Sequence, residues 1–247
     1  MGTINEIRLI NLSYNNGGIL ISDETLHLGG ISTLLSLQNG GGKSVLVQML
    51  TAPFVHKNYR RVKDRPFESY FTGTKPSFIL IEWQLDGGQG KMMNGFMIRR
   101  RPEETGDGTE EKEVLEIVGL ISEYRDACLW DIHNLPVVEK TKKEMLLKSF
   151  TACRQLFDGF KKDRQAKFFY YDITQQAGQR QYFEKLKEYR VDYREWENII
   201  KKVNQKEGGL ADLFADCRDE KGLTEKWLLD AVEKKLDPEG NKIRDFA

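Results

Sequence analysis

Residues 38–44 read Gln38-Asn39-Gly40-Gly41-Gly42-Lys43-Ser44, and their types in that order suit the binding of a polyphosphate. Glycines tolerate left-handed backbone angles and close approach, so a run of three can turn successive N–H groups toward one anion. A lysine directly after the loop supplies charge for the β- and γ-phosphates, and a hydroxyl on the first helical turn supplies a Mg²⁺ ligand. Asn39, Gly40, Gly41 and Gly42 are therefore the candidate cradle, Lys43 the phosphate lysine and Ser44 the metal ligand. Val45 is the next helical amide, and Gln38 a further candidate contact. The Walker A pattern G-x-x-x-x-G-K-[ST] places its first glycine where this chain has Leu37. The competing reading is a glycine-rich turn followed by an incidental Lys-Ser pair.

Such a loop works only if a strand delivers it and a helix leaves it. Val45-Leu46-Val47-Gln48-Met49-Leu50 reads as a buried helix that stops before Pro53, and its N-terminal end would face the anion. Ahead of the loop, Ile31-Ser32-Thr33-Leu34-Leu35-Ser36-Leu37 is apolar on both faces and reads as a buried strand. Two earlier runs, from Ile4 to Leu12 and from Ile19 to Leu28, are separated by Asn15-Asn16-Gly17-Gly18, a turn sequence.

Beyond the helix, Phe78–Leu85 and Met92–Arg100 flank Asp86-Gly87-Gly88-Gln89-Gly90 as the arms of a hairpin. Val114–Ile121 is a further strand and Phe168–Tyr171 a short one. From about residue 139 the period becomes helical. Met145, Leu146, Phe150, Cys153, Leu156, Phe157 and Phe160 recur at intervals of three and four. Tyr182–Val203 carries more helices, as do the segments from Leu210 and from Thr224. The expected fold is α/β: a mixed sheet around the phosphate-loop helix over residues 1–138, and a helical subdomain over 139–247.

Composition narrows the field. The chain has 247 residues, 39% hydrophobic and 31% charged, with 38 basic and 38 acidic side chains. This excludes collagen-like, low-complexity and disulfide-stapled classes, while the balanced overall charge argues neither for nor against nucleic acid. No stretch approaches the roughly 20 apolar residues of a membrane span, and no secretory signal core opens the chain. Cys128, Cys153 and Cys217, like His27, His56 and His133, are scattered without metal or redox spacing. A reduced cytoplasmic setting is the expectation.

The Asn39-Gly40-Gly41-Gly42-Lys43-Ser44 loop resembles the N-G-x-G-K-S loop of the ABC-type ATPase heads of structural-maintenance-of-chromosomes (SMC) proteins. The opening Ile7-Arg8-Leu9-Ile10-Asn11-Leu12, with a second strand before the loop, is also similar. Within that group the chain looks most like the N-terminal head segment of MukB-like or Wadjet-type condensins. The resemblance implies ATP and Mg²⁺ as cofactors. It also implies that the Walker B acids and signature motif lie in a C-terminal lobe beyond a long coiled coil; no long heptad run and no signature motif are recognisable here. Implied partners are that lobe, a second head on ATP binding, kleisin-like subunits and double-stranded DNA. The implied roles are DNA organisation, chromosome segregation or plasmid defence. The chain would then stop about where a coiled-coil arm emerges.

Other candidates follow from the same frame. The glutamine that touches Mg²⁺ in such heads is placed at Gln205, within Val203–Leu210, with Gln175 and Gln176 second. Arg60 and Arg61, in the basic connector after the loop helix, are candidate nucleotide contacts. Asp172 and Glu82 each stand in or after an apolar run, as a Walker B acid does. With Asp172 in that role the chain would be a complete small P-loop NTPase or kinase. A third reading is a non-enzymatic DNA-binding or interaction module using Arg60-Arg61-x-Lys63-x-Arg65, Arg99-Arg100-Arg101, Lys142-Lys143 or Lys161-Lys162-x-Arg164, clusters that nearby acids mostly dilute.

Overall fold

Chain order in the computed structural model is β1 (Thr3–Tyr14), β2 (Ile19–His27), α1 (Lys43–Thr51), α2 (Lys57–Arg60), β3 (Ser77–Gln84), β4 (Lys91–Arg100), β5 (Leu115–Tyr124), β6 (Val138–Lys140), β7 (Met145–Leu147), α3 (Phe150–Lys162), β8 (Lys167–Asp172), α4 (Gln176–Glu188) and α5 (Tyr193–Val203). Short 3-10 turns follow α1 at Ala52–Phe54 and precede β3 at Phe67–Tyr70. The structure describes residues 2–14, 17–36, 38, 42–60, 66–101, 114–140 and 145–203. Residues 1–193 form one compact unit and 194–247 a second. The second is described only as far as Val203 in α5, so the helices expected from Leu210 and Thr224 lie outside the described residues.

The protein is a mixed α/β chain built on one six-stranded sheet, in the order β2-β1-β3-β4-β5-β8. Every neighbouring pair is antiparallel. This corrects the expectation of a mixed sheet: the connections within the first five strands are hairpins or loops that reverse the chain, so no parallel pair arises among them. β8 closes the sheet from beyond residue 138, so strands continue past the expected start of the helical subdomain.

Strand alternation sorts the core into two layers. Phe78 and Leu80 of β3, Met93 and Met97 of β4, Val118 and Leu120 of β5 and Phe168 of β8 pack with Phe150, Cys153, Phe157 and Phe160 of α3. The opposite parity serves the other face. There Trp83 meets Phe54 edge-on at 5.5 Å, and Phe96 lies 5.7 Å from Tyr182 of α4. Ile79, Leu80 and Ile81 are fully buried because β3 is central and covered on both sides. Ser149 caps α3 by accepting the Ala152 N–H at 3.2 Å.

Two further expectations need correction. Residues 31–36 form no strand, and Ile31, Leu34 and Leu35 are 74%, 93% and 42% exposed. The apolar composition that marked them as a buried strand is present, but among the described residues no strand pairs with them. Met145–Leu147 belongs to a small hairpin with Val138–Lys140, and the helix begins only at Phe150. Among the described residues no helix is long and apolar enough to cross a membrane.

Candidate functional site

α1 starts at Lys43, and Gly42 is its N-cap, with φ 84° and ψ 15°. That left-handed geometry is routine for glycine and strained for any other residue. Gly42 O accepts the Leu46 N–H at 2.8 Å, closing the first turn. The first turn carries no acidic side chain, so nothing on the helix itself offsets its positive end. Lys43 and Ser44 are exposed and Val45 is half-buried. Asn39, Gly40 and Gly41 lie outside the described residues; Gln38 is described and exposed.

The far end of α1 is anchored. Gln48 is 6% exposed and Met49 1%. Gln48 donates to the Arg60 carbonyl at 2.8 Å and accepts the Tyr70 hydroxyl at 2.9 Å. Thus the helix that expectation made buried throughout is buried only in its C-terminal half. Val47 is 39% exposed.

A residue that the sequence reading passed over stands beside this helix start. Tyr14, the last residue of β1, presents its phenol to Gly42: a Cβ placed on Gly42 would lie 3.2 Å from the Tyr14 hydroxyl and 3.3 Å from its ring carbon Cζ. Sequence separation hides the contact. The only signal for it is that Tyr14 ends an apolar run directly before the Asn15-Asn16-Gly17-Gly18 turn.

The remaining candidates divide. Arg60 turns inward: it is 4% exposed, its Nε donates to the carbonyls of Ala52 at 3.1 Å and Val55 at 3.2 Å, and its guanidinium lies 4.7 Å from the Phe96 ring centre. It ties down the chain after α1, so the nucleotide contact expected of it is not what its side chain makes. Arg61 and Gln205 lie outside the described residues. Gln175 is the exposed N-cap of α4, and Gln176 its exposed first residue.

Asp172 ends β8 at the sheet edge and bonds locally, accepting the Thr174 N–H at 3.1 Å and the Thr174 hydroxyl. α1 rests on β3, three strand spacings from β8, or roughly 14 Å at about 4.8 Å per spacing. Asp172 also has the parity of Phe168 and Tyr170, which pack with α3 on the opposite face. The structure does not bring it to Lys43 and Ser44. Glu82 is 1% exposed and held by Asn5, Lys91 and Tyr124, a structural environment within the α3 face.

The basic clusters are partly engaged. Arg99 pairs with Glu116 at 2.6 Å and stacks on Phe150 at 4.2 Å, and Lys161 sits 5.4 Å from the Tyr170 ring. A separate open cavity of about 500 Å³ is lined by His56, Gln176, Gln179, Arg180 and Tyr193 among others. His56 is flanked there by Phe183 at 4.7 Å and Tyr193 at 4.4 Å. Among the described residues no group of three or more His, Cys, Asp or Glu side chains is arranged to hold a metal ion.

With this geometry in view, no protein-family model, curated protein or solved structure matches the chain.

Proposed function

We propose that the chain is the N-terminal, ATP·Mg²⁺-binding part of an SMC-like ATPase head. The observation that carries this is the junction Gly42-Lys43-Ser44: a left-handed glycine, a lysine and a hydroxyl in succession at the exposed, acid-free start of a helix whose other end is anchored. In this reading the amides from Asn39 to Val45 cradle the phosphates, Lys43 neutralises them and Ser44 contacts Mg²⁺. A P-loop ATPase fold is part of the proposal, although an antiparallel sheet is a poor match for one. The exposed run Ile31–Ser36 supports the incomplete-head form of it, because an exposed apolar segment of strand composition, unpaired among the described residues, fits docking of another lobe.

The missing lobe supplies the Walker B acids and the signature motif, and the run at Ile31–Ser36 becomes a strand when that lobe pairs with it. Heads then dimerise on ATP, with kleisin-like subunits and double-stranded DNA as further partners, in DNA organisation, chromosome segregation or plasmid defence. Asp172 plays no part in the chemistry.

The test is a thermal melt of the chain with ATP·Mg²⁺, for wild type and Lys43→Ala. At a hundredfold excess over Kd, binding stabilises by about 2.7 kcal/mol, which is roughly 5–10 °C for a chain of this size. Wild type should show the shift and Lys43→Ala should not, and the chain alone should hydrolyse no ATP. A wild-type melt indifferent to ATP, or turnover that disappears in Asp172→Ala, would sink the reading.

A further inference from the structure

A Cβ on Gly178 would lie 2.0 Å from the Asp172 carbonyl oxygen, so glycine at this position lets the start of α4 lie directly on the end of β8. That contact fixes which side of the helix looks outward. Gln176, Gln179, Arg180, Phe183 and Glu184 recur at intervals of three and four, and so fall on one stripe of α4 on the side away from Gly178. All five line the cavity of about 500 Å³ that His56 and Tyr193 also line. These residues belong to the compact unit of residues 1–193.

The cavity has an aromatic corner. Phe183 is 3% exposed, and its ring lies 4.7 Å from His56 and 5.0 Å from Tyr193, while His56 meets Tyr193 edge-on at 4.4 Å. The three rings brace one another. The polar side chains of the stripe are less committed. Glu184 is engaged by Lys187 at 2.8 Å, but among the described residues the side chains of Gln176, Gln179 and Arg180 make no hydrogen bond or ion pair. Arg180 differs in this from Arg8, Arg60, Arg99 and Arg154, each of which is tied to a carboxylate or a carbonyl.

Each part of the lining selects a piece of a ligand. Braced aromatic side chains favour a flat ring. An uncommitted guanidinium favours an anion, in the fork geometry that suits phosphate. Two primary amides, each both donor and acceptor, match a ring edge that carries both kinds of group, as a nucleobase does and a plain benzene ring does not. The volume lies within the range of small-ligand sites. The geometry points to a mononucleotide site: the base against the Phe183, His56 and Tyr193 corner, its edge read by Gln176 and Gln179, and its phosphate on Arg180. The site is built on α4 and not on α1, so it stands or falls independently of the reading of Gly42-Lys43-Ser44.

The experiment is calorimetric titration of the chain, without Mg²⁺, with AMP, GMP, CMP and UMP, and with their nucleosides and inorganic phosphate as separate probes. Wild type is compared with Arg180→Gln and Lys43→Ala. Arg180 is exposed and lacks an internal partner, so Arg180→Gln should fold as wild type does. At least one mononucleotide should bind with a Kd below about 1 mM. Its nucleoside, inorganic phosphate alone and Arg180→Gln should each weaken binding by about tenfold or more, and Lys43→Ala should leave it unchanged. Four outcomes overturn the proposal: no mononucleotide binds, Arg180→Gln binds as wild type does, phosphate or nucleoside alone binds as tightly as the nucleotide, or Lys43→Ala abolishes binding and so places it at the start of α1.

Discussion

The phenol of Tyr124 donates its proton to the carboxylate of Glu82, joining β5 to β3 across β4 beneath the α3 layer. Glu82 is 1% exposed and takes further bonds from Asn5 at 2.6 Å and Lys91 at 2.9 Å, while the Ile132 N–H donates to the same phenol at 3.2 Å. Removing the hydroxyl leaves an acceptor and a donor short of a partner in the interior. Tyr124→Phe should cost about 1–3 kcal/mol, read as a lower urea midpoint at unchanged slope.

The same burial has a pH consequence. Desolvation first, then the Glu82 charge, pushes the Tyr124 phenol well above its ordinary value, and burial does the same for Tyr182 and Tyr189. Above about pH 10 the unfolded chain releases these protons while the folded chain keeps them, so the folded state holds more protons and stability falls as pH rises. Equilibrium unfolding between pH 8 and 11 should show a plateau followed by a decline. Tyr124→Phe should soften the decline, and an equally steep one would contradict the assignment.

Gly95 should be irreplaceable. A Cβ there would lie 2.0 Å from the Ile79 carbonyl oxygen and 2.9 Å from Leu80 Cα, both backbone atoms of the paired strand. Gly95→Ala should cost about 3 kcal/mol or more. Gly29→Ala is the contrast: nothing lies within 4 Å, but φ is 66°, and a cost nearer 1 kcal/mol is expected from backbone strain. Thermal melts of the two variants give the comparison.

Cys153 lies fully buried in the α3 layer, and desolvation raises its thiol to about 11, with Lys148 opposing. Alkylation at pH 8 in native buffer should therefore be slow at this residue and rapid once the chain is unfolded, because the thiolate is the reactive form. Mass spectrometry after timed iodoacetamide treatment reads the difference.

Leu34 and Ile31 should be replaceable by serine at little cost to the chain alone, within about 0.5 kcal/mol, because folding hides so little of either. The same double substitution should lower the fluorescence of a bound apolar dye. A large drop in melting temperature would mean that the segment is packed.

Legibility in the sequence followed the physics that fixes each element. Strands β3 and β4 were readable because their apolar residues are dense and a glycine-rich turn separates them, and α3 because its apolar residues keep a helical period. The start of α1 was readable from Gly42-Lys43-Ser44, where one special backbone angle and two side chains suffice. Composition failed at Ile31–Ser36, since apolarity reports a preference for burial and not the existence of a pairing strand. It failed again at Met145–Leu147, where apolar spacing matched a helix but a short hairpin formed. The inward turn of Arg60 and the meeting of Tyr14 with Gly42 depend on tertiary placement, which local pattern does not encode.

Because α1 is moored at Gln48 and Met49 yet solvent-exposed at Lys43 and Ser44, it resembles a post set firmly in the ground with its top in water. An anion arriving at the top has no core contacts to disrupt. In a nuclear magnetic resonance titration, amide signals from Lys43 to Leu46 would migrate, while those of Ala52 and Val55, whose carbonyls accept from Arg60, would stay where they began.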